Sequence, residues 1–203
     1  NVENRPEFLL QLQRLLHQLF RAGVMIDCGQ DGERLFAGKK NGFRMAHGFR
    51  FKNPLYSLDA SLIDLSLQIF PWAKFNQTKA AVKLHVGLNH GGMLPEFVAL
   101  TDGSVPDLRE AKAFSFPKGS IVVCDKGYVD YGWYQALTAR GVYFVTRQKT
   151  RTVFRVVLNQ VVMPDHGVTS DQIIELNGTN QKGIAPQRLR RVSYHDAETG
   201  KNY

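Results

Sequence analysis

The feature that most constrains the fold is a run of four apolar residues, Ile121 to Cys124, which is followed directly by Asp125. Four consecutive apolar residues after Gly119 are typical of a central strand that is covered on both faces. An acid beside such a strand is costly to bury as an ion unless it is paired or bound to a metal. The run therefore predicts a buried sheet and an acid that needs a partner.

A second acid, Asp59, lies inside another apolar run, Leu55 to Leu67. If the two strands are neighbours, both carboxylates can point at one place, and hard oxygen ligands suit Mg²⁺ or Mn²⁺. Such a site activates a water or a 3′-hydroxyl for attack at phosphorus. The alternative, that each Asp caps a helix or closes a turn, stays open. Asp64 is five residues after Asp59 and would lie on the opposite face of a strand.

The pattern between these acids and beyond them predicts further elements. Residues 80–88 and 94–101 alternate as half-buried strands around an Asn-His-Gly-Gly turn, so they form a hairpin. A short helix follows Pro106, a second helix over 131–139 has Asp130 as N-cap and Gly141 after its end, and a buried strand covers 142–146. The order predicts an α/β fold, a mixed sheet with helices on its faces in a ribonuclease H-like layout.

Three regions follow from the changes of composition along the chain. Residues 1–47 contain an amphipathic helix over 7–20 and a Gly-, Lys- and Arg-rich linker from residue 27. Residues 48–149 form the core. Residues 150–203 read as the start of a β-rich insertion, incomplete, with strand-like pieces at 152–158, 172–176 and 188–194.

The charge balance favours an acidic partner, because 26 Lys and Arg residues face 18 Asp and Glu residues, a net charge of +8. Basic residues cluster in three places and could hold phosphates or, equally, form a solvated surface. The clusters are Lys74, Lys79 and Lys83 around Trp72 and Phe75; Arg147, Lys149, Arg151 and Arg155; and Arg188, Arg190 and Arg191.

Other features narrow the function classes. No apolar run reaches eighteen residues, so no membrane span is expected. Cys28 and Cys124 are far apart in unlike surroundings, which argues against a disulfide and fits a reducing cytoplasm. His85 is more typical of a sheet histidine than of a ligand. Asp107 is most simply a charge partner at a helix start, although a supporting role beside the acids is open.

Several segments together resemble bacterial insertion-sequence transposases of the DDE class, of the insertion-sequence-four type. They are Gly48-Phe49-Arg50-Phe51-Lys52-Asn53-Pro54-Leu55-Tyr56-Ser57-Leu58-Asp59, Phe70-Pro71-Trp72-Ala73-Lys74-Phe75, Lys83-Leu84-His85 and Asp125-Lys126-Gly127-Tyr128. They occur in the family's order and spacing over residues 48–149.

The resemblance implies a ribonuclease H-like core in which Asp59 and Asp125 are catalytic ligands of Mg²⁺ or Mn²⁺. It implies metal-dependent DNA cleavage and strand transfer during transposition of an insertion sequence. The partners would be double-stranded DNA, as transposon ends and target, and a second copy in a homodimer. The protein would be located in the cytoplasm, at the nucleoid. The DNA-binding residues would be Lys74, Lys79, Lys83, Lys126, Arg147, Lys149 and Arg151.

The family's third acid is a Glu on a later helix, in a pattern of Tyr, Arg, Glu and Lys. No such helical pattern occurs before Tyr203, and neither Glu175 nor Glu198 matches it. We therefore expect a truncated transposase that is inactive alone. One alternative is a catalytically inactive DNA-binding remnant of such a transposase. Another is an α/β protein that binds no nucleic acid and whose acids are only structural.

Overall fold

A computed structural model describes residues 51–65, 80–92, 94–162, 167–176 and 188–202. These residues divide into two compact units, which we describe separately: one is Asn53–Thr150, and the other includes the residues from Arg151 onward. The predicted N-terminal helix and linker, together with Cys28, Lys74 and Lys79, lie outside the described residues. Among the helices that are described, none combines the length and apolarity that a membrane crossing requires.

The first unit is a five-stranded mixed sheet with two short helices. Its elements in chain order are β1 (Leu55–Leu65), β2 (Ala80–Asn89), β3 (Leu94–Asp102), α1 (Asp107–Ala113), β4 (Ile121–Cys124), α2 (Tyr131–Ala139) and β5 (Tyr143–Thr146). The strands lie in the order β3-β2-β1-β4-β5. β1, β2 and β3 are antiparallel neighbours, whereas β4 and β5 run parallel to β1. The predicted α/β class, hairpin and element order are confirmed.

Local sequence explains where these elements begin and end. All four residues of β4 are buried, as an uninterrupted apolar run predicts. Asp130 is the N-cap of α2, and its Oδ1 accepts a hydrogen bond of 2.7 Å from the amide of Trp133. After α2, Gly141 has φ +70°, a conformation that glycine adopts without strain, and the chain turns there into β5.

Both helices pack on one face of the sheet, so the expectation of helices on both faces is wrong for the described residues. On this face the ring of Tyr134 in α2 stacks on Phe144, with centroids 4.0 Å apart. Tyr56 of β1 contacts Phe97 of β3 and Phe116 on the same side. Side chains alternate along a strand, so Asp59 belongs to the opposite face. That face is exposed at β3, where Val98 and Leu100 are 60% and 61% accessible.

The second unit is an antiparallel sheet in the order β6-β7-β8-β9. Its strands are β6 (Phe154–Asn159), β7 (Val168–Leu176), β8 (Arg188–Asp196) and β9 (Lys201–Asn202). The three strand-like pieces predicted after residue 150 are confirmed, although β7 begins four residues earlier than predicted. The two-residue β9 was missed because its sequence carries no apolar alternation.

Candidate active site

The parallel register brings the two predicted acids to neighbouring positions. Ser57 of β1 pairs with Val123 of β4. Extended by two residues, which is one residue past the end of β4, the same register puts Asp59 level with Asp125 and on the same face. Cys124 pairs with Thr146 of β5, so the next position sets Arg147 beside Asp125. The carboxyl ends of parallel strands are where open α/β sheets bind ligands.

A tight turn after β4 fixes the carboxylate of Asp125. Residues Lys126–Tyr128 form one 3-10 turn, and Asp125 is its N-cap. Oδ1 of Asp125 accepts a hydrogen bond of 2.6 Å from the amide of Gly127. A Cβ at Gly127 would lie 2.8 Å from that same oxygen, so any other residue at this position would require the Asp125 carboxylate to shift. Asp125 therefore closes a turn, which is the alternative that the sequence left open. It does so through Oδ1 of its carboxylate.

Tyr128 is a site residue that the sequence alone did not single out. Its side chain is buried in the 3-10 turn and only 3% exposed. Burial is the main reason that its pKa is raised, and the charges of Asp107, Asp59 and Asp125 raise it further. Three carboxylates therefore act on one phenol. The Asp-Lys-Gly-Tyr segment was the available signal, but nothing in it indicated that the tyrosine faces inward.

Cys124, directly before Asp125, is a packing residue. It is fully buried and free, and burial raises the pKa of its thiol to about 12. A thiol with such a pKa stays protonated at neutral pH, so it is neither a nucleophile nor a metal ligand.

His85 lies on the helix-covered face of the sheet, and Asp107 belongs to α1 on that face. His85 is buried, and its Nε2 lies 2.8 Å from Oγ1 of Thr101, which agrees with the predicted sheet histidine. Its Nδ1 has no hydrogen-bond partner among the described residues. Burial lowers the pKa of His85, although Asp107 and Glu110 oppose that shift. Asp107 is the first residue of α1, and Nζ of Lys83 lies 2.9 Å from its Oδ1.

The cations predicted to bind DNA differ in their surroundings. Lys126 and Lys149 are exposed, and Nζ of Lys149 donates a hydrogen bond of 3.5 Å to the carbonyl of Val129. Lys83, in contrast, is half-buried, and it also donates a hydrogen bond of 2.7 Å to the carbonyl of Val105. Arg151 is exposed and belongs to the second unit.

Three arginines of the second unit are paired with carboxylates of the same sheet: Arg155, Arg188 and Arg190. Arg190 donates two hydrogen bonds to Asp171, at 2.8 and 2.5 Å. Arg155 and Arg188 both bind Glu175. Arg191 lies over the ring of Phe154, with 5.3 Å between the guanidinium carbon and the centroid. The suggestion that these arginines form a phosphate-binding cluster therefore has little support.

Among the described residues, two acids, Asp59 and Asp125, lie at this edge of the sheet. Within them, His, Cys, Asp and Glu nowhere gather in threes closely enough to hold a metal ion. Asp64, exposed on the other face of β1, takes no part.

Comparison with known proteins identifies relatives of one kind. The family model described as "Transposase DDE domain" matches residues 50–203. The chain is 28% identical over 145 residues to "Putative transposase y4zB" of Sinorhizobium fredii (strain NBRC 101917 / NGR234). That alignment covers 70% of this chain and 40% of the relative, so the chain spans about two-fifths of the relative's length.

A solved structure is also similar, at a low level. It is titled "Cryo-EM structure of piggyBac transposase synaptic complex with hairpin DNA (SNHP)". The match has a TM-score of 0.36 and 11% identity, and covers 73% of this chain and 36% of that chain.

Proposed function

Because the chain belongs to the transposase DDE domain family, we propose that it forms part of the catalytic core of an insertion-sequence-four type transposase. In this proposal the five-stranded sheet is a ribonuclease H-like core that binds double-stranded DNA and takes part in metal-dependent strand cleavage and transfer. The observation that supports it best is the parallel register of β1 and β4, which aligns Asp59 with Asp125. We also propose that the intact protein acts as a homodimer at the nucleoid, on transposon ends and target DNA.

The residues present fit a magnesium ion. Mg²⁺ is commonly held by one or two carboxylates, with waters and substrate phosphates as the remaining ligands. Asp59 and Asp125 are both partly exposed, so solvent and a phosphate can reach them. The amide of Gly127 donates a hydrogen bond to Oδ1 of Asp125. Oδ2 is therefore the oxygen that we assign to the metal.

Asp59 and Asp125 would hold the ion at the carboxyl edge of the sheet. When bound, Mg²⁺ supplies Lewis-acid polarisation of a phosphoryl oxygen and a lower pKa for an attacking water. Arg147 follows β5 at the position beside Asp125, and its guanidinium is suited to a phosphate of the bound strand. Lys126 and Lys149 add exposed positive charge, which attracts the DNA backbone in a salt-dependent manner.

We further propose that a polypeptide limited to these 203 residues binds DNA without cleaving it. The family's third acid has no match among them, and two carboxylates give a site with one ligand fewer. A misplaced or weakly held ion costs rate because the attacking oxygen must be aligned with phosphorus. This is the DNA-binding alternative raised by the sequence, and it differs from the main proposal in activity and not in fold.

The metal site is tested by titrating the pure chain with Mn²⁺ and following the free ion by electron paramagnetic resonance. We expect one saturable site that Asp59→Asn and Asp125→Asn each weaken by about tenfold or more, the effect of losing one charged ligand worth about 1.4 kcal/mol. Asp64→Asn is the matched control, because Asp64 lies on the same strand and on the opposite face.

Two results would contradict the proposal. Binding that is equally weakened by Asp64→Asn would show that the ion responds only to net charge. Binding that is unchanged in the Asp59 and Asp125 variants would place the ion elsewhere. DNA binding is measured in parallel by fluorescence anisotropy, so that a failed metal site and a failed DNA interface can be told apart.

A further inference from the structure

Lys83 connects β2 to the beginning of α1. Its side chain is 18% exposed, and its Nζ lies 2.7 Å from the carbonyl oxygen of Val105 and 2.9 Å from Oδ1 of Asp107. Both oxygens are at or just before the first turn of α1. A half-buried ammonium needs such partners, and the charge-assisted hydrogen bond to Val105 is stronger than a neutral one. The sequence predicted a DNA contact, whereas these two contacts connect β2 to α1 within the protein. We call the contacts of Lys83 with Val105 and Asp107 the tie.

The tie continues from α1 to Asp125. α1 packs against the 3-10 turn Lys126–Tyr128, and Tyr128 of that turn is buried. The turn holds Asp125 through two hydrogen bonds: Gly127 donates to Oδ1 at 2.6 Å, and the amide of Tyr128 donates to the main-chain oxygen at 3.2 Å. The position of the carboxylate therefore depends on the turn, and the turn is covered by the helix that Lys83 holds.

We propose that Lys83 is a positioning residue for Asp125, acting through Asp107, α1 and the 3-10 turn, and that it does not contact DNA. The proposal rests on the proposed function only where it treats Asp125 as a metal ligand. Its structural part stands on the contacts of Lys83 alone. A positioning role and a simple charge effect predict opposite outcomes, because removing a nearby cation by itself strengthens the binding of a metal ion.

The experiment compares three variants of the full chain. Lys83→Met removes the tie. The double variant K83M/D107N removes the tie together with both charges and so leaves the net charge near the site unchanged. Lys126→Met is the control, since Lys126 is exposed, is next to Asp125 and forms no ion pair among the described residues. Hydrogen exchange of the Gly127 and Tyr128 amides is measured by NMR, Mn²⁺ affinity by electron paramagnetic resonance, and DNA affinity by anisotropy as a function of salt.

If Lys83 is a positioning residue, both Lys83 variants raise amide exchange at Gly127 and Tyr128 by about tenfold. This change corresponds to about 1.4 kcal/mol in the free energy of local opening. Mn²⁺ affinity falls in both variants, including the double variant with balanced charge. The salt dependence of DNA binding stays as in the unmodified chain. Lys126→Met leaves exchange close to the starting value, raises Mn²⁺ affinity because it removes a cation next to Asp125, and lowers the salt slope by about 1.

The proposal is overturned if exchange at the turn is unchanged, if Mn²⁺ affinity rises or stays constant in K83M/D107N, or if Lys83→Met lowers the salt slope as a phosphate contact would. If Lys83→Met does not fold, the milder Asp107→Asn replaces it, and unchanged exchange at Gly127 in that variant is equally decisive. If the unmodified chain binds no Mn²⁺, the proposed function fails. The exchange measurement still tests whether Lys83 holds the 3-10 turn in place.

Discussion

The two units use their basic residues in different ways. In the second unit Arg190 pairs with Asp171 and Arg188 with Glu175, each with a carboxylate on the neighbouring strand. Beside the acid edge of the first unit, Lys126 is exposed and has no such partner among the described residues. The same residue types therefore stabilise one sheet and remain available to a polyanion at the other. A count of basic residues cannot distinguish these two uses.

The largest effect that this contrast predicts is on stability. Asp171 is 7% exposed at the side chain and Arg190 is 18% exposed, so Arg190→Met leaves a buried carboxylate without its partner. We expect the free energy of unfolding of the second unit to fall by about 3 kcal/mol, the range for breaking a buried pair. Urea denaturation followed by circular dichroism measures this change.

Arg188→Met is the matched control, since Arg188 is 67% exposed and shares Glu175 with Arg155. Exposed pairs contribute at most about 1 kcal/mol. Equal losses in the two variants would mean that burial does not separate the pairs, and the assignment of the Arg190–Asp171 pair to the stability of the sheet would then not hold.

The second prediction concerns DNA. Lys126→Met and Lys149→Met each remove one exposed charge of the first unit, so each variant should lower the slope of log affinity against log salt by about 1. Affinity at low salt should fall by about threefold to tenfold, with little dependence on DNA sequence. Anisotropy titrations from about 50 to 200 mM salt test this.

Arg188→Met should leave both the slope and the affinity unchanged, because the guanidinium of Arg188 is engaged by Glu175. A loss equal to that of the lysine variants would place DNA on the second unit and reverse the assignment of the two surfaces.

Much of the fold was predictable because it depends on local signals. The apolar run of β4, the Asp130 cap and Gly141 fix where elements begin and end, and each acts within a few residues. The proximity of Asp59 and Asp125 could be predicted only as conditional on β1 and β4 being neighbours. Strand order is a non-local property that one sequence does not determine.

The surroundings of the site were less predictable for the same reason. Lys83 was predicted to contact DNA because it is basic and near aromatic residues in the sequence. The two oxygens that its Nζ contacts, on Val105 and Asp107, lie more than twenty residues away in the chain. Tyr128 was likewise not singled out, because its burial depends on α1 packing over the turn. Pairing partners of long charged side chains are decided by tertiary contacts, which composition does not encode.

The smallest expected effect is a difference in how the two units respond to acid. Burial lowers the pKa of His85 from its ordinary 6.5, so below that pH the unfolded chain binds a proton that the folded first unit does not. The stability of the first unit is therefore highest above pH 6.5 and falls as the pH drops towards the folded pKa. In the second unit, hydrogen bonds from Arg155 and Arg188 lower the pKa of Glu175 from 4.5. Its contribution is present above pH 4.5 and is lost as the pH falls through the folded pKa.

Amide hydrogen exchange, corrected for intrinsic rates from pH 7.5 to 4, resolves the two units in one sample. Protection in β2 and β3 should begin to fall near pH 6.5, while protection in β7 and β8 should persist to below pH 4.5. His85→Gln should remove the loss of protection in β2 and β3 and leave the loss in β7 and β8. Glu175→Gln should remove the loss in β7 and β8 and leave the loss in β2 and β3. If both units lost protection at the same pH in every variant, they would unfold as one cooperative body. The contrast between the units would then concern only their surfaces, because a shared unfolding step gives every amide the same pH dependence.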